Sequence, residues 1–456
     1  MKITIIGAAG VRTPLILRSI LRRQDKLGID ELALMDIDGA RLELIGALTS
    51  SIENSPTTKF FISRTTDPKA ALNGADFVIT TFRVGGIGSR VIDERVPLDN
   101  GVLGQETTGA GGFAMGVRSI PVMLDYIHQM KALCPGAWLI NFANPAGMLT
   151  EAVIRNSSWR RVVGICDGPA SMQREIANLL SGNIEEIYLD YFGLNHLGWI
   201  RRILYHNQDQ LPSMLALLPS LGEVPGLPFD PQLVAGLGMV PNEYLYYYYY
   251  RSEAIHHLLQ AGLSRGEQIA RLNQRLFDQL RMALDKQDLH GMESAYQAYL
   301  DERNDTYMAA ETGKTLFAPV TKSVDNHAEP DEGYAGVALN LIEGLLGKAP
   351  RVQILNVPNH QAIIGIEEAE VVEIPTLVSH DRIQPLPVGE IPDHCLGLMK
   401  QVKHFEHLTI EAAIERSYQK ALLALTTHPL VGDYSIAKLI LDGYITQHQG
   451  YFPDLH

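Results

Sequence analysis

Lys2-Ile3-Thr4-Ile5-Ile6-Gly7-Ala8-Ala9-Gly10-Val11-Arg12-Thr13-Pro14-Leu15-Ile16-Leu17 is the stretch that decides the fold. Residues 2–6 are β-branched and apolar, the signature of a buried strand. Gly7-Ala8-Ala9-Gly10 breaks that strand, and Thr13-Pro14-Leu15 opens a helix. Pro14 suits a first helical turn, where its missing N–H costs nothing. Strand, glycine turn and helix N-terminus together form an anion-binding device suited to a pyrophosphate. The turn reads Gly-Ala-Ala-Gly-Val-Arg and so departs from the G-x-G-x-x-G fingerprint. The next strand, 31–35, nevertheless ends at Asp36 and Asp38, where an acid can hydrogen-bond the ribose of a dinucleotide. Gly7, Ala8, Gly10, Val11 and Asp36 are therefore candidate cofactor contacts, with Arg83 beyond a later strand.

Further core strands are expected at 75–82 and 138–142. Between them run Arg83-Val84-Gly85-Gly86 and, further on, Gly104-Gln105-Glu106-Thr107-Thr108-Gly109-Ala110-Gly111-Gly112. So many glycines past a strand end suggest backbone running close to a ligand. Arg90, Asp93, Glu94 and Glu106 are interleaved with them, which argues against a merely flexible loop. Asn144-Pro145 follows the next strand end, where ligand contacts collect in open α/β sheets. Alternating strands and helices make residues 1–168 a doubly wound, Rossmann-like domain.

After residue 170 the pattern changes to long helical stretches at 172–181, 253–286 and 406–427. The Leu- and Pro-rich segment 211–231 reads as a surface excursion, 310–333 as loop, and 351–357, 369–373 and 376–379 as late strands. Residues 169–456 are thus expected to form a mostly helical α+β substrate domain. The whole would share the architecture of lactate and malate dehydrogenases.

With 456 residues, 46% of them hydrophobic and 20% charged, the chain exceeds what one simple core holds, roughly 250–300 residues. Its net charge of −14 excludes nucleic acid or an anionic membrane as a general partner. An anionic small substrate would need a local cluster of Arg or Lys. Cys134, Cys166 and Cys395, odd in number and far apart, make no disulfide framework and fit a reducing cytoplasm. No signal peptide and no run of about 18 apolar residues is found.

The chemistry concentrates in Val163-Gly164-Ile165-Cys166-Asp167-Gly168-Pro169 and Gly193-Leu194-Asn195-His196. A thiolate and an imidazole suit a borderline-soft divalent metal, and two ligands leave coordination positions open for water or substrate. A buried structural cysteine and a hydrogen-bonded histidine would look the same. Downstream, Tyr244-Leu245-Tyr246-Tyr247-Tyr248-Tyr249-Tyr250 holds six tyrosines. Most must pack with bonded hydroxyls, but one beside a cation can act as a general base.

Taken in order, these motifs resemble the NAD-dependent glycosidases of glycoside hydrolase family 4, which include 6-phospho-glucosidases. The glycine turn with Thr13-Pro14 is followed by Arg83-Val84-Gly85-Gly86 and Gly104-Gln105-Glu106-Thr107-Thr108-Gly109. Asn141-Phe142-Ala143-Asn144-Pro145, Cys166-Asp167-Gly168-Pro169, Gly193-Leu194-Asn195-His196-Leu197-Gly198-Trp199 and Tyr244-Leu245-Tyr246-Tyr247-Tyr248 complete the series. The resemblance runs from Met1 to near Leu441, and the family is an exception to two-carboxylate glycoside hydrolysis. It implies that NAD takes a hydride from C3 of the sugar, which acidifies the C2 proton. It further implies that Mn²⁺ or another divalent metal, held by Cys166 and His196, binds the C2 and C3 oxygens. Tyr244 matches the base that removes the C2 proton; elimination, water addition and re-reduction follow, and NAD is not consumed.

Asp167 stands where the family varies. Asn there goes with 6-phospho-β-glucosidases, and Asp with 6-phospho-α-glucosidases, where it protonates the leaving group. Such an acid must be kept protonated, so a raised pKa is expected. The stretches around Asn144 and Asn195 resemble β-acting members more closely, and the β reading is preferred. Arg90 and Arg265 match arginines near the sugar and would clamp a phosphate, with structural ion pairs as the alternative. Asn144 and Asn195 would contact the sugar. Asn356-Val357-Pro358 departs from the family's Asn-x-Gly. The expected partner is a phosphorylated sugar, and the expected assembly a homodimer or homotetramer. The rivals are a plain NAD-dependent hydroxy-acid dehydrogenase and a catalytically dead sugar-phosphate sensor.

Overall fold

Residues 2–6 form strand β1 (Lys2–Ile6), four of whose five residues are buried, as expected for a strand covered on both faces. The computed structural model describes residues 1–222, 224–314 and 333–456. Strands β2 (Glu31–Met35), β3 (Phe61–Thr65), β4 (Phe77–Thr80), β5 (Trp138–Asn141) and β6 (Val162–Gly164) are parallel to β1 or to one another. Their order in space is β3-β2-β1-β4-β5-β6, the doubly wound order whose ligand crevice lies at the carboxyl ends of the strands. That edge carries Gly7 after β1, Asp36 after β2, Arg83 after β4, Asn144 after β5 and Cys166 after β6. All the sequence-expected strands of this half are present, and Thr13–Leu27 is helical with Pro14 in its first turn.

The second half adds two sheets' worth of strands. One group is β7 (Ile187–Leu194), β8 (Leu197–Tyr205), β9 (Gln208–Asp209) and β10 (Val240–Pro241), a small antiparallel sheet. The other is β11 (Arg351–Pro358), β12 (Val371–Ser379) and β13 (Arg382–Pro385), which continues the large sheet beyond β6 to nine strands. β11 is antiparallel to β6, with Asn356 opposite Gly164, and β12 is antiparallel to β11, with Glu373 opposite Asn356. One apolar cluster runs from Ile3 through Leu139, Leu355 and Tyr444, so both halves share a core.

Several expectations change. The glycine-rich region 83–112 is mostly helical, in Gly86–Asp99 and the 25-residue helix Gly109–Leu133. Its glycines serve close packing of the chain on itself: a Cβ on Gly111 would lie 2.1 Å from the Gln105 carbonyl oxygen, and one on Gly112 2.2 Å from that of Thr107. Segment 211–231 is no mere excursion, because Leu211–Leu221 is a helix and Leu211, Leu218 and Phe229 are buried. The stretch 253–286 is two helices, Arg251–Ala261 and Arg265–Asp285, divided by left-handed Gly262 and a Ser264–Glu267 capping box. Likewise 406–427 belongs to Asp393–Glu415 and Tyr418–Thr427, divided at left-handed Arg416. The late strands at 369–373 and 376–379 are one strand, β12, which runs through Pro375. The loop expected at 310–333 falls largely outside the described residues; Ala309–Thr312 is a short helix and Gly333–Leu345 a longer one. Among the described residues no helix is long and apolar enough to cross a membrane, and Cys134, Cys166 and Cys395 are free.

Candidate active site

The glycine turn is built by close approach. Gly7 has φ +95°, and a Cβ there would lie 2.5 Å from the backbone nitrogen of Phe82, so only glycine lets β1 and the end of β4 meet. The N–H groups of Gly7 and Ala8 both donate to the Met35 carbonyl, at 2.9 and 3.0 Å, which folds the turn onto β2. Asp36 accepts from the backbone N–H of Ala9 at 2.9 Å, so the acid and the glycine turn form one unit. Val11 and Gly10 complete the turn, and the Val11 carbonyl accepts from the Tyr296 hydroxyl at 2.7 Å. The helix that follows has no side-chain cap; Pro14 carries no N–H, and the N–H groups of Thr13 and Leu15 donate to the Gly10 and Arg12 carbonyls, each at 3.1 Å.

Cys166 and Asp167 leave the end of β6 and enter the helix Gly168–Leu179. A Cβ on Gly168 would lie 3.7 Å from Cys166 Sγ, 3.6 Å from Glu243 Oε1 and 3.9 Å from Tyr244 Cε2, so these three side chains converge over one glycine. His196 sits in the β7–β8 turn with φ +63°, a strained conformation for a non-glycine residue. Its ring stacks on that of Tyr244 at 3.6 Å between centroids and 6° between planes. His196 is buried, and its Nδ1 has no hydrogen-bond partner among the described residues. Burial, with the charge of Arg90, lowers its pKa to about 4 against the opposing pull of Glu106 and Asp167, so the imidazole is neutral and able to act as a ligand. Burial, then the charges of Glu373 and Asp167, push the Cys166 thiol well above its ordinary range. A divalent cation would reverse that balance and hold a thiolate.

Asp167 departs from expectation. Burial pushes its carboxyl up, but Arg12 Nη1, 3.1 Å from Oδ2, outweighs that by charge and hydrogen bonding and holds it below the usual range. It stands as a paired carboxylate rather than a reserve acid. Two carboxyls here are pushed up: Glu243, to about 7, by burial and then by Asp167, Glu175 and Glu373, and Glu373, to about 6, by burial. Tyr244 accepts from the Tyr307 hydroxyl at 2.7 Å, and Tyr307 lies 3.5 Å from Glu243 Oε1. Burial raises the pKa of Tyr244 well above 10. The remaining tyrosines pack as expected. Tyr248 bonds Thr108 at 2.5 Å, Tyr249 accepts from Trp199 at 3.0 Å and Tyr250 from the Asp230 N–H at 3.0 Å.

The arginines are mostly engaged. Arg83 pairs with Glu106. Arg90 bonds Glu94 at 2.7 Å and Glu106 at 2.9 Å, and Arg265 donates to the Thr306 and Arg303 carbonyls at 3.0 and 2.8 Å. Burial, then the charge of Arg12, lowers the pKa of Arg303, whose Nη1 donates to the Tyr299 hydroxyl at 2.8 Å. Asn144 precedes Pro145 across a cis bond and is half-buried. Asn195 donates to Glu373 at 3.2 Å. Arg12, Glu243, Arg303, Tyr307 and Glu373 were not singled out in the sequence. Arg12 and Glu243 could have been found as charged neighbours of the glycine turn and of Tyr244; Arg303, Tyr307 and Glu373 carry no local signal.

Fold and site define a class: an enzyme of dinucleotide-binding fold whose reaction centre lies at the carboxyl ends of the parallel strands. The family 4 glycosyl hydrolase model matches residues 2–182, and that of the family's C-terminal domain matches residues 191–431. The chain belongs to this family. It is 30% identical to the 6-phospho-β-glucosidase of Escherichia coli (strain K12), over all of this chain and 96% of that protein. The structure of the 6-phospho-β-glucosidase from Thermotoga maritima with manganese, NAD⁺ and glucose-6-phosphate superposes with a TM-score of 0.82 at 27% identity, covering both chains fully. A 6-phospho-α-glucosidase from gut microorganisms, in complex with NAD and Mn²⁺, gives 0.85 at 28% identity, covering all of this chain and 99% of the other.

Proposed function

We propose that this chain is an NAD- and divalent-metal-dependent glycosidase that hydrolyses 6-phospho-β-glucosides, with Mn²⁺ as the metal the relatives hold. The observation that carries the reading is the meeting of Cys166, His196 and Tyr244 at the strand ends beside the glycine turn. Both groups fit the residues present. A dinucleotide suits the Gly7 cradle with Asp36 bonded to it, and a cation suits the buried, neutral His196, whose Nδ1 has no partner among the described residues, near a thiol.

When bound, NAD supplies reversible oxidation at C3 and the metal supplies a Lewis acid at the C2 and C3 oxygens, which makes the C2 proton removable. The chain does the rest. Gly7, Ala8, Gly10 and Val11 seat the pyrophosphate, Asp36 the ribose, and Arg83 closes the cofactor side. Cys166 and His196 hold the metal, and Tyr244 takes the C2 proton. Asn144 and Asn195 orient sugar hydroxyls. Arg12 and Arg303, backed by Arg90 and Arg265, meet the 6-phosphate with delocalised positive charge on an otherwise acidic protein. Asp167, paired with Arg12, supports the β reading, in which the family does without an acid at this place. The α reading is the second, favoured by the presence of Asp167 itself.

Residues 1–168 are the cofactor-binding unit and 169–456 the substrate unit, with the metal between them. The assembly is a homodimer or homotetramer, and the free cysteines suit the cytoplasm. Turnover of α- and β-nitrophenyl glucosides, with and without the 6-phosphate and with Mn²⁺ and NAD added, tests the reading. Nitrophenol from the phosphorylated β-substrate without net NADH is expected; net NADH from a hydroxy acid instead would make it a dehydrogenase.

A further inference from the structure

Glu373 is a buried carboxyl beside the reaction centre. It is 1% exposed in β12, and among the described residues no Lys, Arg or His side chain forms an ion pair with it. Burying a carboxyl without a cation is unfavourable unless neutral donors satisfy it. Three do. Tyr191 donates its hydroxyl at 2.8 Å, Asn356 its amide at 2.9 Å and Asn195 its amide at 3.2 Å.

Each donor leads to a different part of the reaction centre. Asn195 immediately precedes His196 in the β7–β8 turn. Asn356 lies opposite Gly164, two residues before Cys166, and its Cβ fills the space above Gly164 at 2.8 Å from where a side chain would begin. The Tyr191 hydroxyl accepts from the Asn242 amide at 3.3 Å, and Asn242 caps the turn Glu243–Leu245 by accepting from the Leu245 N–H at 3.2 Å. That turn presents Tyr244. Gly198 makes room for this arm: a Cβ on it would lie 2.1 Å from the Tyr191 hydroxyl.

We propose that Glu373 is a positioning residue of the reaction centre, one buried carboxyl that sets Cys166, His196 and Tyr244 in mutual register through Asn356, Asn195 and the Tyr191–Asn242 arm. The inference rests on the metal and base assignments made above. It gives a physical reason for the strained His196 turn, because the Asn195 bond holds that turn against β12. It also explains why strands from the second half join the sheet beside β6: they bring the hub to the end of the strand that carries Cys166. Partners that orient metal ligands in this way are typically worth about 10–100-fold in metal affinity or activity when removed.

The test uses the full chain as wild type and as Glu373→Gln, Glu373→Ala, Tyr191→Phe and Cys166→Ser. Mn²⁺ binding is measured by the electron spin resonance of free Mn²⁺ without NAD or sugar. NAD binding, thermal unfolding, and exchange of the glucose-6-phosphate C2 proton with solvent deuterium are measured beside it. Glu373→Gln keeps the size of the side chain and one carbonyl acceptor, so it serves if the alanine variant does not fold. Expected is Mn²⁺ affinity at least about tenfold weaker in Glu373→Gln with NAD binding unchanged. Tyr191→Phe, which cuts only the arm toward Tyr244, should slow exchange and leave Mn²⁺ affinity near wild type. A folded Glu373→Gln with wild-type Mn²⁺ affinity and exchange, whatever its melting temperature, overturns the proposal and leaves Glu373 a structural residue. The Cys166→Ser control separates the two levels. If it binds Mn²⁺ as wild type does, the metal assignment has failed, and exchange in Glu373→Gln alone then decides whether Glu373 orients Tyr244.

Discussion

His196 joins an unusual backbone to a buried ring. A φ of +63° turns its neutral, buried ring onto that of Tyr244, and Nδ1 has no partner among the described residues, which is what the proposed metal role rests on. Cys166→Ser should abolish metal-dependent turnover while NAD binding persists; a variant that still turns over with Mn²⁺ would remove Cys166 from the metal site. Tyr244→Phe should slow exchange of the C2 proton with deuterium oxide, because it removes the phenol proposed as the base; exchange at the wild-type rate would remove Tyr244 from that role. Glu243 makes a prediction about pH. Its carboxyl is moved from 4.5 to about 7 in the folded chain, so the folded state favours the protonated form. The stability this group contributes is therefore complete below pH 4.5 and is lost as pH rises through about 7. Glu243→Gln should gain in melting temperature relative to wild type on going from pH 5 to pH 8. A difference that stays flat over that window would show that Glu243 does not titrate there.

At the scale of elements, the parts that obey a local period were legible and the parts set by neighbours were not. β1, its glycine turn and the helix Thr13–Leu27 follow from five apolar residues, the Gly7 break and Pro14. The division of 253–286 was not seen in its periodicity, because apolar positions recur on both sides of Gly262, yet Ser264 and Glu267 spell a capping box. Ser264→Ala should lower stability by about 1 kcal/mol, read as a shifted midpoint in urea; no shift would mean that Glu267 alone satisfies the helix start. The glycines of 104–112 read in the sequence as backbone running close to a ligand, and in the structure Gly104, Gly111 and Gly112 lie against the chain's own backbone. Glycine required by close approach to a ligand and glycine required by close approach to the chain's own backbone carry the same letter, and only packing tells them apart.

The whole molecule is held together by strands that return late. β11, β12 and β13 extend the first half's sheet, and β6, only three residues long, pairs with β5 on one side and β11 on the other. A fragment of residues 1–168 would expose that edge and lose the shared core. It should fail to give cooperative unfolding or NAD binding when expressed alone; a folded, NAD-binding fragment would show that the cofactor unit is independent. The sequence by itself determined the doubly wound class of the first half, the glycine turn with Asp36, and Cys166 and His196 as a candidate ligand pair, because each depends on residues near in the chain; Tyr244 was picked out from its five neighbours only by the resemblance to the family. Tertiary structure alone decided that Arg12 engages Asp167, that Arg90 and Arg265 are bonded within the protein, and that Glu373 accepts from Tyr191, Asn195 and Asn356. Those facts depend on which strands lie side by side and in what register, and strand pairing between residues 164, 356 and 373 leaves no mark in local composition.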